Sequence, residues 1–281
     1  MYVLNKRKVH AMIMQKKRKL KGTDMRKKYF FFDIDGTLIA GGYGLGNVPE
    51  STQRALEQLR ANGHFIAIAT GRGYIMAIEQ MRELGIDNMV CDGGNGVVLD
   101  GSLVGVEPLD HDLVCALLRE CGEKGFPWAV QKQLDVPCTA PDSRFDEAVH
   151  NTYVKCVVEP DLQPEACENL YKAYVACTYP AEKSLQSLEG LTWCRFDDLF
   201  FFVEPCDKSR GIRRVIEHVG GNLEDVVVFG DALNDMSMFC PEWTSVAMGN
   251  ACEELKAKAD YVTDSCYDDG IWNACRHFGW I

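Results

Sequence analysis

Two carboxylates, Asp33 and Asp35, stand two residues apart at the end of the apolar run Tyr29-Phe30-Phe31-Phe32. A strand that ends there sends both Cβ atoms to the same side, because side-chain direction repeats every second residue. Like charges held so close need a cation; without one, desolvation and repulsion raise one pKa until a proton takes the metal's place. Hard oxygen donors favour Mg²⁺. Asp35-Gly36 alone would be an ordinary turn, but a turn does not call for a second acid two residues earlier.

Three further segments carry groups that suit a phosphoryl centre: Thr70-Gly71, Lys208, and Asp231 with Asp235. Asp33 can act as a nucleophile on phosphorus, splitting hydrolysis into formation and breakdown of an aspartyl phosphate. Asp35 is the natural general acid and base, protonating the leaving oxygen and then accepting a proton from the attacking water. Asp231 supplies a further carboxylate for the metal. Thr70 offers a hydroxyl, and the helix start after Gly71 offers free backbone N–H groups, to a phosphate oxygen. Lys208 offers a compact positive charge to the phosphoryl group and to Asp33. Each has a plainer explanation. Thr70 alone reads as a helix cap, Lys208 as a solvated helix residue, and Asp231 with Asp235 as acids at a helix start. Arg72 reads as structural, pairing with acids near the site, and Asn95 as a turn residue.

Whether these segments meet depends on the elements that carry them. Pro49 to Asn62 has Ala55, Leu56 and Leu59 at helical spacing and stops at Gly63. His64 to Ala69 is a short apolar strand, and Tyr74 to Leu84 is helical again. Repeated βα units imply a parallel sheet covered on both faces, with active groups at the strand tips. Asn88 to Cys91 reads as a further strand, and Gly96 to Gly105 as a hairpin turning at Asp100-Gly101. From about Pro108 the pattern becomes α+β. A helix is expected near Asp110 to Cys121, strands near Phe126 to Gln131 and Thr152 to Val158, a helix over Pro164 to Cys177, then strands near Leu191 to Phe196 and Leu199 to Val203. The βα alternation resumes after Pro205, with a helix from Lys208 to Val219 and a strand from Asp225 to Phe229 that ends at Gly230-Asp231. The reading is an α/β protein: a Rossmann-like core of residues 29–107 and 205–281, an inserted α+β cap of residues 108–204, and a basic leader of residues 1–28.

At 281 residues and 47% hydrophobic, the chain is long enough for two ordinary domains. Its formal charge of −11 is uneven, with +10 in residues 1–28 and −21 in the remainder. The leader lacks the interleaved aromatics of a stacking platform, so a nucleic-acid arm is not expected. Met25 is expected to be the natural start. No stretch reaches the roughly 18 to 20 apolar residues of a membrane span, and the expected location is cytoplasmic. The thirteen cysteines are odd in number and irregularly spaced, which points to reduced, mostly packed thiols.

The order DIDGT at Asp33 to Thr37, ATGR at Ala69 to Arg72, Lys208, and GDALND at Gly230 to Asp235 resembles the haloacid dehalogenase (HAD) superfamily of phosphohydrolases. The tail AMGNA at Ala247 to Ala251, followed by Ala259-Asp260-Tyr261-Val262-Thr263, looks like its Cof-type (IIB) branch. The resemblance implies a C2-type cap between the second and third motifs. It also implies Mg²⁺ bound by Asp33, the backbone carbonyl of Asp35 and Asp231, with Asp235 close to the metal and Asn234 near the phosphate. Relatives often carry Gly directly after the motif lysine, whereas Ser209-Arg210-Gly211 follows Lys208 here.

The expected activity is Mg²⁺-dependent hydrolysis of a small phosphorylated metabolite, such as a sugar phosphate, a nucleotide or a cofactor phosphate. The expected assembly is a monomer or homodimer, without membrane or nucleic-acid partners. A phosphomutase is the alternative enzyme. A phospho-accepting signalling module is disfavoured by Asp35, which stands ready to promote hydrolysis. In the cap, Trp128, Arg144, Phe145, His150 and Tyr153 could face substrate, and core packing or plain surface explains each equally well.

Overall fold

The computed structural model describes residues 26–41, 46–134, 138–150 and 154–281; the expectations about Met25 and Tyr153 lie outside these residues. Strand β1, Tyr29–Phe32, is buried along its whole length, as a strand covered on both faces must be. It lies at the centre of an eight-stranded sheet of order β14-β13-β12-β1-β2-β3-β4-β5. Its neighbours are β12 (Val226–Gly230) and β2 (Phe65–Ala69), both parallel to it. Beyond them β3 (Met89–Cys91), β13 (Thr244–Ala247) and β14 (Tyr261–Val262) are also parallel. β4 (Gly96–Leu99) and β5 (Ser102–Val106) close the far edge antiparallel, through the expected turn at Asp100-Gly101, where both φ angles are positive.

Alternation within β1 sorts the two sides of the sheet. Phe30 and Phe32 face α1 (Glu50–Ala61) and α2 (Tyr74–Glu83), through Leu56, Leu59, Ile78 and Met81. Phe31 faces Ile212, Val215 and Ile216 of the later helix Lys208–His218. Right-handed crossovers between parallel strands require helices on both faces.

Residues between β5 and that helix build a second, six-stranded sheet, of order β10-β11-β9-β6-β7-β8. Helix α3 (His111–Lys124) is capped by Asp110, which accepts the Leu113 N–H, and ends at Gly125 in the left-handed region. It packs with β6 (Trp128–Gln131), β9 (Lys172–Ala176) and β11 (Phe200–Val203) on one face of the sheet. α4 (Arg144–Val149) covers part of the other face, its Phe145 against Tyr174 and Phe200. β7 (Cys138–Ala140), β8 (Cys156–Val158) and β10 (Trp193–Arg195) complete the sheet.

One expectation fails here. Pro164 to Cys177 is not a helix: Pro164–Ala166 makes a single 3₁₀ turn, and Lys172–Ala176 is a fully buried strand. β9 is flanked by β6 and β11, which satisfy its backbone on both edges, so sheet pairing overrides a helical pattern. β7 and α4 had no counterpart in the sequence reading. The lysine-bearing helix is α5 (Lys208–His218), followed by α6 (Glu253–Lys258) and α7 (Gly270–His277). All thirteen cysteines are free thiols.

Candidate active site

Parallel register brings the strand tips to one edge. Phe32 pairs with Phe229 of β12 and with Ile68 of β2, so Asp33, Asp231 and Thr70 emerge side by side. The Asp33 N–H donates to the Phe229 carbonyl at 3.0 Å, which carries the ladder one residue past the strand. Lys208 opens α5, where the Asp207 side chain accepts the Arg210 N–H, and its own N–H donates to Ser237 Oγ at 3.0 Å.

The Lys208 ammonium, 1% exposed, lies 2.6 Å from Asp33 Oδ1 and 2.5 Å from Asp235 Oδ1. The other Asp235 oxygen accepts the N–H groups of Asp231 and Ala232, at 2.9 and 3.0 Å. Asp235 thereby shapes the loop after β12. That loop leads into the short 3₁₀ helix Leu233–Met238, with Asp235 capping its first turn and Asp231 two residues before it. Thr37 donates its hydroxyl to Asp231 Oδ1 at 3.1 Å. Gly36 has φ +78°, and a Cβ there would stand 2.2 Å from the Asp231 carboxylate, so the turn after the first motif requires glycine.

Three carboxylates, Asp33, Asp231 and Asp235, present oxygens within 4.8 Å of one another. Burial, reinforced by the Asp235 charge and opposed by Lys208, pushes Asp33 up to about 7. Burial and the same neighbour push Asp231 up to about 6. Burial disfavours the charged Lys208, but Asp235 and Asp33 outweigh it and its pKa rises. Three acids around one ammonium remain short of positive charge, and hard oxygen donors of this kind fit a divalent cation.

The second motif joins from β2. Thr70 is buried; its N–H donates to the Val90 carbonyl, and its Oγ1 accepts the Arg72 N–H at 3.1 Å. α2 begins at Tyr74, three residues later than Gly71. A Cβ on Gly71 would stand 3.9 Å from Asn234 Nδ2, so the loops after β2 and β12 face each other. Arg72 binds Asp35 through Nε and Nη2, at 3.0 and 2.7 Å. Asn95 serves the backbone, donating to the Glu107 carbonyl. In the six-stranded layer, Phe145 is core, Trp128 packs on the α3 face, Arg144 pairs with Asp142, and His150 ends α4 with positive φ.

Sequence reasoning gave no role to Thr37, Ser237 or Asn250, which donates to the Gly36 carbonyl at 2.8 Å. Thr37 and Asn250 lie inside quoted motifs, but Ser237 had no signal of its own.

An α/β sheet with acids and one buried lysine gathered at its strand tips is the architecture of a phosphoryl-handling enzyme. The chain belongs to the haloacid dehalogenase-like hydrolases, whose family model matches residues 30–275. YkrA of Bacillus subtilis (strain 168) is 31% identical over 258 residues, spanning 91% of this chain and 99% of that protein. The 5-amino-6-(5-phospho-D-ribitylamino)uracil phosphatase YcsE of the same organism is 24% identical, over 91% and 97% of the two chains. Among solved structures, the HAD subclass IIB sugar phosphatase BT4131 matches with a TM-score of 0.70 and 31% identity, covering 91% of this chain and 100% of that one. The protein is therefore a HAD-type phosphatase. Among the described residues, no helix is long and apolar enough to cross a membrane.

Proposed function

We propose that this phosphatase hydrolyses a small phosphorylated metabolite with Mg²⁺, through an aspartyl phosphate on Asp33. The observation that carries the reading is the sharing of one buried ammonium by Asp33 and Asp235 beside a third acid, Asp231. Asp33, Asp231 and the main-chain carbonyl of Asp35 would hold the metal, with Asp235 adjacent. Bound there, it would neutralise phosphoryl oxygens and draw the phosphate towards Asp33.

The chain's own groups do the rest. Asp33 attacks phosphorus while Asp35 gives its proton to the leaving oxygen; Asp35 then takes a proton from the water that opens the acyl phosphate. Lys208, the Thr70 hydroxyl, the Gly71 N–H and Asn234 bind the phosphoryl oxygens where charge develops. Residues 108–204 act as the cap, excluding bulk water and limiting access to small substrates. The metabolite substrates named for YcsE and BT4131 support that size class.

A phosphate-release screen over sugar phosphates, nucleotides and cofactor phosphates with Mg²⁺ tests this, with Asp33→Asn as control. Wild type is expected to release phosphate and the variant to release none. Equal release from both would show that the nucleophile is misassigned.

A further inference from the structure

The turn AMGNA, residues 247–251 at the end of β13, reaches both loops of the candidate metal site. It is itself well anchored. The Met248 N–H donates to the Gly230 carbonyl and the Gly249 N–H to the Asp264 carbonyl, each at 3.0 Å. Gly249 is pressed onto the loop that follows β14, where an added Cβ would stand 2.6 Å from the Ser265 nitrogen. From this turn the Cys252 N–H donates to the Asp231 carbonyl at 2.9 Å, and Asn250 Nδ2 donates to the Gly36 carbonyl at 2.8 Å. The other end of the same amide is also engaged, since Asn250 Oδ1 accepts the Cys266 N–H at 2.9 Å. A backbone N–H can only donate, so Cys266 fixes which end of the amide is oxygen and leaves the NH₂ for Gly36.

Gly36 is where such a hold matters. At φ +78°, and with no Cβ, it has the widest backbone freedom of the 33–37 turn. Its N–H and the Asp35 carbonyl belong to one trans peptide and point in opposite directions. That N–H donates to the Ile39 carbonyl at 2.9 Å, a bond internal to the turn. Asn250 holds the next peptide, through the Gly36 carbonyl, and ties it to a different loop. The peptides on either side of the glycine are thus both fixed. The Asn250 bond is exposed, so water can replace it at little cost to the fold, but a mobile water does not fix the carbonyl's direction.

We propose that Asn250 is a positioning residue for the metal: by fixing the Gly36 carbonyl it holds the preceding Asp35 carbonyl in place, and it makes the site rigid enough to prefer Mg²⁺ to Ca²⁺. This rests on the reading of Asp33, Asp231 and the Asp35 carbonyl as the metal's ligands. Mg²⁺ demands near-ideal octahedral ligands at about 2.0–2.1 Å, whereas Ca²⁺ accepts flexible coordination at about 2.3–2.6 Å. Loosening one ligand therefore costs Mg²⁺ more than Ca²⁺.

Calorimetric titration of the full chain with MgCl₂ and with CaCl₂ tests this in wild type, Asn250→Leu and Asn250→Ala. The control is Asn62→Leu, which loses the same kind of bond, Asn62 Nδ2 to the Trp280 carbonyl at 2.8 Å, before β2 begins rather than at a strand tip. Both Asn250 variants are expected to bind Mg²⁺ about 10- to 100-fold more weakly, the loss usual for a group that orients a ligand, and Ca²⁺ no more than about threefold more weakly. Asn62→Leu should keep wild-type affinity for both ions. Equal loss for the two ions, or a matching loss in Asn62→Leu, would overturn the proposal. So would unchanged Mg²⁺ affinity in the Asn250 variants, or failure of both to fold. If wild type binds Mg²⁺ but hydrolyses no phosphate ester, the functional reading fails and the titrations still decide the role of Asn250. If wild type binds no Mg²⁺, both fall.

Discussion

Arg72 and Asp35 are joined by two nearly parallel hydrogen bonds, Nε to Oδ2 at 3.0 Å and Nη2 to Oδ1 at 2.7 Å. A planar fork meeting a carboxylate in this way fixes its orientation as well as its charge. The pair also links two strand tips, since Asp35 follows β1 and Arg72 follows β2. Because the Arg72 carbonyl is bound by the Asp92 N–H, the aim of the proposed acid and base depends on three successive strands.

Replacing Arg72 with Lys keeps the charge and loses the fork. If Asp35 transfers the proton, kcat should fall by about 10- to 100-fold, a part of the roughly 10²- to 10⁴-fold that a positioned acid–base group contributes, with KM changing only a few-fold. Steady-state kinetics on the best substrate from the screen, with circular dichroism as a fold control, checks this. A KM effect with unchanged kcat would instead put Arg72 on the substrate.

Lys208→Met leaves Asp33, Asp231 and Asp235 without their ammonium. Breaking a buried pair from one side costs about 3–5 kcal/mol, so the metal-free variant should lose roughly that much stability in urea unfolding. Mg²⁺ should return part of the loss, because a divalent ion supplies some of the missing charge. A Mg²⁺-insensitive loss would show that these acids do not bind the metal.

Titration should report the same crowding. Asp33 is raised from 3.8 to about 7, by burial first and Asp235 second, and Asp231 from 3.8 to about 6. A carboxyl whose folded pKa exceeds its unfolded value stabilises the fold fully below the unfolded value, and that stability is lost as pH rises through the folded one. In chelator, these two groups should lower stability as pH rises from about 4 to about 7. Glu120 is held down to about 2 by the Ser187 backbone N–H; its opposite contribution is complete by about pH 5. Urea midpoints from about pH 5 to 8 should therefore fall in wild type, against the opposite contribution of His64, whose pKa burial lowers, and fall less steeply in Asp33→Asn, where Asp231 still titrates. Added Mg²⁺ should raise the wild-type midpoint more at the alkaline end.

Much of this site was legible because its residues lie in unbroken local motifs at strand ends, where a period of two and the following turn fix direction. Asp33, Thr70 and Asp231 could be placed at the ends of apolar runs, Lys208 only from the motifs around it, and the family resemblance added Asn234. What escaped depends on contacts between distant segments. Lys172 falls in a segment expected to be a helix that is a strand, and only the structure pairs it with Glu204. Asp92 drew no reading of its own; only the packed structure shows its carboxylate buried and accepting the Tyr74 N–H. Ser237 holds the Lys208 N–H through a side chain with no spacing rule.

Gly36 tests whether backbone geometry limits the metal site. Its φ of +78° is strained for any L-residue, and an added methyl carbon would meet Asp231 Oδ2 at 2.2 Å. The Asp231 carboxylate is also held by Thr37, so it cannot move away without giving up that hydrogen bond. Gly36→Ala should cost about 1–3 kcal/mol from the backbone strain. Because the displaced group is a proposed metal ligand, Mg²⁺ affinity should fall further than stability alone explains. Calorimetric titration beside urea unfolding separates the two effects, and the distant substitution Gly101→Ala controls for strain. Gly101 also has positive φ, but no atom lies within 4 Å of its added Cβ. It should lose stability and keep full Mg²⁺ binding; a similar loss of affinity in both variants would break the link between this turn and the metal.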